Sequence, residues 1–297
     1  MAMTIKPVPF AIEKVYQPRG PMQQFRLAQS AAFNCFRCGQ SKKSKLITVY
    51  GGDWSRRLCN GCYGRLLSIY EVKAGTGPDD ERADALASVL LGLVSKDDVA
   101  QAERLLKASE KRAELLSPEV IRFISTSEHV ARHLEVQPEL EWSPAVIGLC
   151  KSVELEAVRL LLRPLAGQLA GVDLAVDRAD KDYGRVAAFC ADPSRRPPDL
   201  GTIVHFLKTL ANSKQRRQQS ALLQVFLRMV SNWSGSQWVL DEHGLAGFLN
   251  TLTIDYRNPA AHTTELGQVD YNRCRDLVLG ADGGLWKLLV STVRHRS

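Results

Sequence analysis

Residues 35–62 read CFRCGQSKKSKLITVYGGDWSRRLCNGC, in which Cys35/Cys38 and Cys59/Cys62 form a C-x2-C-x20-C-x2-C pattern. Each pair spans one knuckle of chain, so both sulfurs of a pair can point at a single ion. Between the pairs, 45–50 (KLITVY) has strand character, Gly51-Gly52-Asp53 marks a turn, and 54–58 (WSRRL) is the returning strand. The hairpin brings the pairs together. Thiolates suit zinc: four sulfurs at ~2.3 Å close a tetrahedron with no open position, which makes such a site structural. A segment of about 75 residues with few large apolar side chains needs a staple of this kind.

The run NGCYGRLLSIYEV after Cys59 has helical spacing at Leu66, Leu67 and Tyr70, so the second pair opens a helix whose N-terminal dipole favours thiolate. Knuckle, hairpin and a helix bearing the last two ligands resemble the treble-clef group of zinc fingers. Rubredoxin-like iron is the alternative, although the glycine- and proline-rich knuckles of that family are missing here. Lys42, Lys43, Lys45, Arg56, Arg57 and Arg65 surround the ligands, with Phe36, Tyr50 and Trp54 interleaved. Cations neutralise phosphates and aromatics stack on bases, so the mixture suits single-stranded nucleic acid. The competing reading has the aromatics packing a tiny core and the cations simply solvated; a protein partner is the other expected use of the finger. Cys150, Cys190 and Cys274 lie in apolar helical patterns as small buried hydrophobes. With seven cysteines and no apolar signal region in residues 1–20, a disulfide framework is not expected and the cytoplasm is the expected compartment.

Outward from the cysteines, the chain has 297 residues, is 45% hydrophobic and 24% charged, and carries a net charge of +7. Length and composition suit about two globular domains. The longest apolar run, near 85–94, is half of the ~20 residues a membrane span needs. Charge is unevenly placed. Residues 1–75 hold 12 Lys/Arg against 3 Asp/Glu, 76–142 hold 8 against 14, and 143–297 hold 19 against 15. The basic N-terminus suggests a polyanionic partner. Three segments are therefore expected: a four-cysteine zinc-finger module of hairpin plus helix at 1–75, an acidic helical linker region at 76–142, and a helical domain at 143–297. Asp79-Asp80 marks a helix start, with further helices from Lys96 and Pro118; 136–144 (VQPELEWSP) reads as a linker with two prolines. A long helix is expected over 145–170, and others near 182–191, 200–212, 215–231, 242–256, 268–279 and 284–295, giving a mainly α chain ending in a bundle.

Residues 256–264 read YRNPAAHTT. Arg257 ends the 242–256 helix on a polar face, Asn258-Pro259 reads as an N-cap followed by proline at the first helical position, and His262 falls about one turn into a new short helix. Two helix ends would thus hold an arginine and a histidine near each other. The spacing alone is weak, since Arg122/His129 also satisfies it inside a helix. On the long helix, Glu154 shares a face with Ile147, Val158, Leu161 and Leu165, where a carboxylate is costly unless paired, and a structural salt bridge to Lys151 or to another helix is the plain reading of it. Glu156 shares a face with Ser152, Arg159 and Arg163 and is expected as a solvated ion pair. His129 and His133 are one turn apart but lack the Glu of a zinc-protease helix.

The R-N-x-x-x-H junction of 257–262, with further helices following, resembles the R-x4-6-H signature of the HEPN superfamily, whose all-helical domains are often metal-independent ribonucleases. The resemblance covers 143–297. It implies a C-terminal bundle of HEPN type and Arg257, His262 and Glu154 as the catalytic set, with Asn258 beside the RNA. His262 would accept the 2′-OH proton and Arg257 would steady the charged phosphate, with zinc confined to the finger. It further implies a homodimer through the C-terminal helices, an RNA substrate (transfer RNA included), and a role as toxin, antiphage effector or RNA processor. The alternatives are a non-catalytic zinc adaptor with a helical dimerisation domain, and a DNA-binding regulator.

Overall fold

The computed structural model describes residues 10–135, 140–262 and 265–293. The chain divides into two units, one reaching to Thr76 and the other starting at Gly77.

The first unit holds one antiparallel sheet in the order β1 (Ile12–Val15), β2 (Met22–Asn34), β3 (Ser41–Tyr50), β4 (Asp53–Leu58), followed by helix α1 (Asn60–Ala74). The expected hairpin is present as β3–β4. Gly51 and Gly52 both take positive φ, 61° and 73°, as the two-residue turn matching strand twist requires. The expected module of hairpin plus helix is thus too small, because β1 and β2 complete a four-stranded sheet. The reason is visible in β2. Its pairing with β3 runs in register from Met22↔Tyr50 to Arg26↔Leu46, slips, and resumes at Ala31↔Ser44. A bulge breaks the two-residue period that would have marked the strand. Leu27, Ala31, Phe33, Ile47 and Val49 form the core of this unit, with Phe10, Phe25 and Trp54 packed against it.

The second unit is helical. It opens with α2 (Asp79–Gly92), α3 (Lys96–Ser109) and α4 (Pro118–Leu134) and then α5 (Ser143–Ala157). Ser95, Ser117 and Asp199 cap their helices through side-chain oxygens, as the sequence requires of helix starts. Both α2 and α4 pack on α5, so the acidic stretch belongs to the same unit as the C-terminal helices and is not a free linker. Gly148 permits this approach: a Cβ there would stand 2.5 Å from Leu90 Cδ2 and 3.1 Å from Ser127 Cβ. The expected proline linker is corrected likewise. Residues 136–139 lie outside the described residues, and Leu140, Glu141 and Trp142 are buried. Trp142 packs against Tyr271 with the rings tilted, centroids 5.4 Å apart, while Glu141 accepts bonds from Ser143 N–H at 3.0 Å and Leu266 N–H at 3.3 Å.

The long helix runs on from α5 through a π turn at Val158–Leu162 into Arg163–Gln168. A second π turn, Leu252–Arg257, joins Leu245–Thr251 to Asn258–Ala261. Each π turn stops just short of a proline. Arg163 N–H bonds back five residues to Val158 ahead of Pro164, and Asn258 N–H bonds back five to Thr253 ahead of Pro259. A proline in an α-helix clashes with the carbonyl four residues back and offers it no donor; the wider turn accommodates both problems. The expected break at Asn258-Pro259 is thereby corrected: Asn258 has helical φ/ψ of −68° and −48° and caps nothing. The expected 215–231 helix is split at Ser220, whose hydroxyl caps the second piece and bonds Asp177. Among the described residues, no helix is long and apolar enough to cross a membrane.

Candidate functional site

Two clusters, one in each unit, bring chemistry-bearing side chains together. In the first unit the sulfurs of Cys35, Cys38, Cys59 and Cys62 all lie within 4.8 Å of one another. A tetrahedral four-sulfur site with bonds of ~2.3 Å needs sulfurs about 3.8 Å apart, so small rotations close it. Cys59 N–H points at Cys35 Sγ at 3.3 Å, and Arg37 Nη1 lies 3.9 Å from Cys62 Sγ. The thiol of Cys62 donates to Cys35, holding the latter as a thiolate with its pKa lowered to about 4 and pushing Cys62 up. Four close thiols with N–H and guanidinium donors around them can hold a metal ion such as zinc.

The surrounding cations separate into two groups. Lys42, Lys43 and Arg65 line a cavity of about 470 Å3 beside Cys38 and Cys59, with Gln40 and Asn60. Lys45 is exposed on the same strand. Arg56 and Arg57 turn onto aromatic faces instead, Arg56 over Phe36 at 5.6 Å and Arg57 over Phe33 at 5.9 Å. Tyr50 is buried and Trp54 packs on Phe25 at 4.7 Å, so these two aromatics serve the core.

In the second unit, His262 ends the Asn258–Ala261 turn and its side chain is 42% exposed. Both ring nitrogens have partners on α2. Nε2 lies 3.1 Å from Asp79 Oδ2, and Nδ1 lies 2.9 Å from Arg82 Nη2. A guanidinium only donates, so Nδ1 must accept and Nε2 must carry the hydrogen given to Asp79. Burial pushes the Asp79 carboxyl up, but the bonds from Arg82 and His262 outweigh it and hold Asp79 below the usual carboxylate range.

Arg257 does not share that surface. It is 6% exposed, at the end of the π turn, rather than on an open polar face. Its Nη1 donates to Asn258 Oδ1 at 3.1 Å, and its Nε–H is buried without a partner. The backbone carbonyl of Asn258 in turn accepts the His262 N–H at 3.1 Å, so Asn258 ties the two residues by side chain and main chain. Glu154 bonds Lys151 and accepts the Leu200 N–H at 3.4 Å; it reaches a basic partner, not the imidazole. The expectation for Glu156 is corrected: it is 0% exposed and held by Arg159, because its face of α5 turns inward with the buried Ser152.

Glu154 belongs to a run of ion pairs that sequence spacing did not reveal. Lys151 bonds Asp84 at 2.7 Å; Arg196 bonds Asp84 and approaches Asp80 at 3.8 Å; Arg185 meets Asp80 at 3.5 Å and Asp199 at 2.8 Å. Burial raises the Asp199 carboxyl, but the Thr202 N–H, Arg185 and Arg257 hold it below its ordinary range. No family model, curated protein or solved structure matches the chain.

Proposed function

We propose that this chain is a metal-independent endoribonuclease of HEPN type, with His262 as its base. In this reading the four-cysteine module carries a structural zinc ion and helps to hold RNA through Lys42, Lys43 and Arg65. The observation that carries the proposal is the half-exposed imidazole of His262, fixed at both nitrogens by a carboxylate and a guanidinium. In this reading base and phosphate holder stand side by side, the imidazole 42% exposed and the Arg82 side chain 15% exposed.

The chemistry uses only side chains and the substrate. An incoming phosphodiester offers the Arg82 fork an anionic acceptor stronger than a neutral imidazole. As Arg82 turns to it, Nδ1 becomes free to take the 2′-OH proton while Asp79 keeps the ring oriented. The 2′ oxygen bonds to phosphorus, the bond from phosphorus to the 5′ oxygen breaks, and that oxygen keeps the electron pair and takes a proton from water. His262 then releases its proton to solvent. The products are a 2′,3′-cyclic phosphate and a 5′-OH. Arg257 acts from behind the site: a permanent charge in a low-dielectric surround favours the negative charge that builds on the phosphate. DNA lacks the nucleophile. A two-fold pair of such domains would place two sites along one RNA path, which makes the homodimer part of the proposal.

Mixed RNA, total transfer RNA included, is incubated with the protein in EDTA beside His262→Ala and Arg257→Met. Wild-type cleavage leaving cyclic phosphate ends, lost in both variants, is expected. Intact RNA with the wild-type protein would favour the non-catalytic adaptor, and tighter binding of duplex DNA than of RNA would favour the regulator.

A further inference from the structure

The ion-pair run on the helical unit has a feature that the cleavage chemistry does not use. Four cationic side chains, Arg82, Lys151, Arg185 and Arg196, meet five carboxylates, Asp79, Asp80, Asp84, Glu154 and Asp199. Three of the five carboxylates come from the first turns of α2. Asp80 and Asp84 stand one turn apart on that helix, and between them they engage Arg185, Arg196 and Lys151 from three other parts of the unit. Arg185 and Arg196 remain 59% and 51% exposed while so engaged. Pairs this open are worth little to folding, so stability does not account for drawing them together here.

We infer that Arg185, Arg196 and Lys151 form a phosphate-backbone site for single-stranded RNA on the helical unit that carries His262, and that Asp80 and Asp84 of α2 occupy it as a built-in substitute for the phosphates. The inference rests on the ribonuclease reading for the identity of the polymer and adds to it a binding track and a restraint. With the carboxylates in place the cluster carries one net negative charge; without the three on α2 it carries a surplus of two positive charges. RNA must therefore compete with α2 for the guanidinium groups. Each phosphate that takes a carboxylate's place in that exchange releases counterions from the strand.

The test uses the full-length protein and a 2′-O-methyl oligoribonucleotide, which has no nucleophile and so reads binding alone. Asp80→Asn/Asp84→Asn is expected to bind it about fivefold more tightly at moderate salt. The plot of log affinity against log salt should steepen by about 0.7, for the one guanidinium group, Arg196, released to a single strand while Arg185 keeps Asp199. Adding Arg185→Gln/Arg196→Gln should erase both gains. Unchanged affinity in the doubly neutralised helix, or a gain that survives loss of the arginines, overturns the inference. Should the neutralised variant lose its helical spectrum, Arg185→Gln/Arg196→Gln in the otherwise native chain carries the comparison. It is expected to weaken binding about threefold, and unchanged affinity there also overturns the inference. Cleavage of unmodified RNA is scored separately. Tighter binding without cleavage in any variant removes the ribonuclease reading and leaves the site; cleavage by the native chain with no change in binding does the reverse.

Discussion

Arg257→Met separates an arginine kept for chemistry from one kept for structure. The native side chain is 6% exposed and, among the described residues, makes one side-chain bond, to Asn258 at 3.1 Å, and buries an Nε–H with no partner. Relieving that unsatisfied N–H returns about 1–3 kcal/mol, and losing the Asn258 bond costs about 1 kcal/mol. Asp199, whose carboxyl Arg257 helps to keep ionised, retains Arg185 at 2.8 Å and the Thr202 N–H at 2.8 Å, so it is not left bare. Methionine has similar length and fills irregular space. The variant should therefore fall between the native stability and about 2 kcal/mol above it. With a urea slope of about 2 kcal/mol per M, the midpoint moves by no more than about 1 M. Tryptophan fluorescence is the suitable signal, because four of the five tryptophans, including the buried Trp142 and Trp286, lie in the helical unit. RNA cleavage should be lost at the same time. A structural arginine behaves otherwise: breaking a buried pair costs about 3–5 kcal/mol, a midpoint drop of about 1.5 M or more. That drop, or full cleavage by the variant, would refute the argument.

Chelation under reducing conditions is expected to unravel the sheet of residues 12–58 while leaving the far-ultraviolet signal of the helical unit nearly intact; elemental analysis well below one zinc per chain in the purified protein would remove the metal assignment. Lys42→Ala/Lys43→Ala/Arg65→Ala should weaken RNA binding and flatten its salt dependence by about 2, one phosphate's worth for each of the three cations around the cysteine cavity; an unchanged slope in filter binding speaks against this groove. The side-chain bond from Arg112 lowers the Glu110 carboxyl from 4.5 to about 2. A depressed carboxylate stabilises the fold above its unfolded value, so this contribution is lost as pH falls from about 4.5 toward 2. Glu110→Gln should remove that acid-sensitive component from the urea midpoint, by under about 1 kcal/mol for so exposed a pair, and identical midpoint profiles for both proteins would exclude it.

Local signals in the chain carried the elements they could reach. The cysteine spacing, the Gly51-Gly52 turn, and the starts at Asp79, Lys96, Pro118 and Leu200 are each decided by residues a few positions apart, and the structure has them. What failed was decided at a distance or by competition. Strand β2 was hidden because its bulge changes the phase of its buried positions. The Asn258-Pro259 signal was sound as local chemistry, yet tertiary packing kept the helix running and passed the strain to a π turn. Such turns recur at functional sites, and a proline two residues beyond a helical arginine is the one sequence trace this left. Glu156 is buried where a solvated pair was expected because helix periodicity identifies faces but not what covers them. For the site itself, His262 was legible as a candidate, while Asp79 and Arg82 were not: 180 residues separate Arg82 from the imidazole it touches.

The same limit applied to the charge count. An acidic middle of 8 basic against 14 acidic residues followed by a basic remainder of 19 against 15 looks like two regions of opposite character, one available to repel or bridge. In the fold they are complements. Asp80 and Asp84 reach Arg185 and Arg196 across more than a hundred residues, and Asp79 reaches His262. The apolar side of the same helix completes the match, with Leu90 against the place where Gly148 has no side chain. Burial of Leu86 and Leu90 fixes α2 on α5 and thereby fixes where its carboxylates stand. Hydrophobic packing sets the position, and the charges facing outward inherit it. The guanidinium groups of Arg185 and Arg196 are therefore already engaged by a helix that the core will not release as a whole, so under the proposed binding of RNA the exchange has to proceed side chain by side chain.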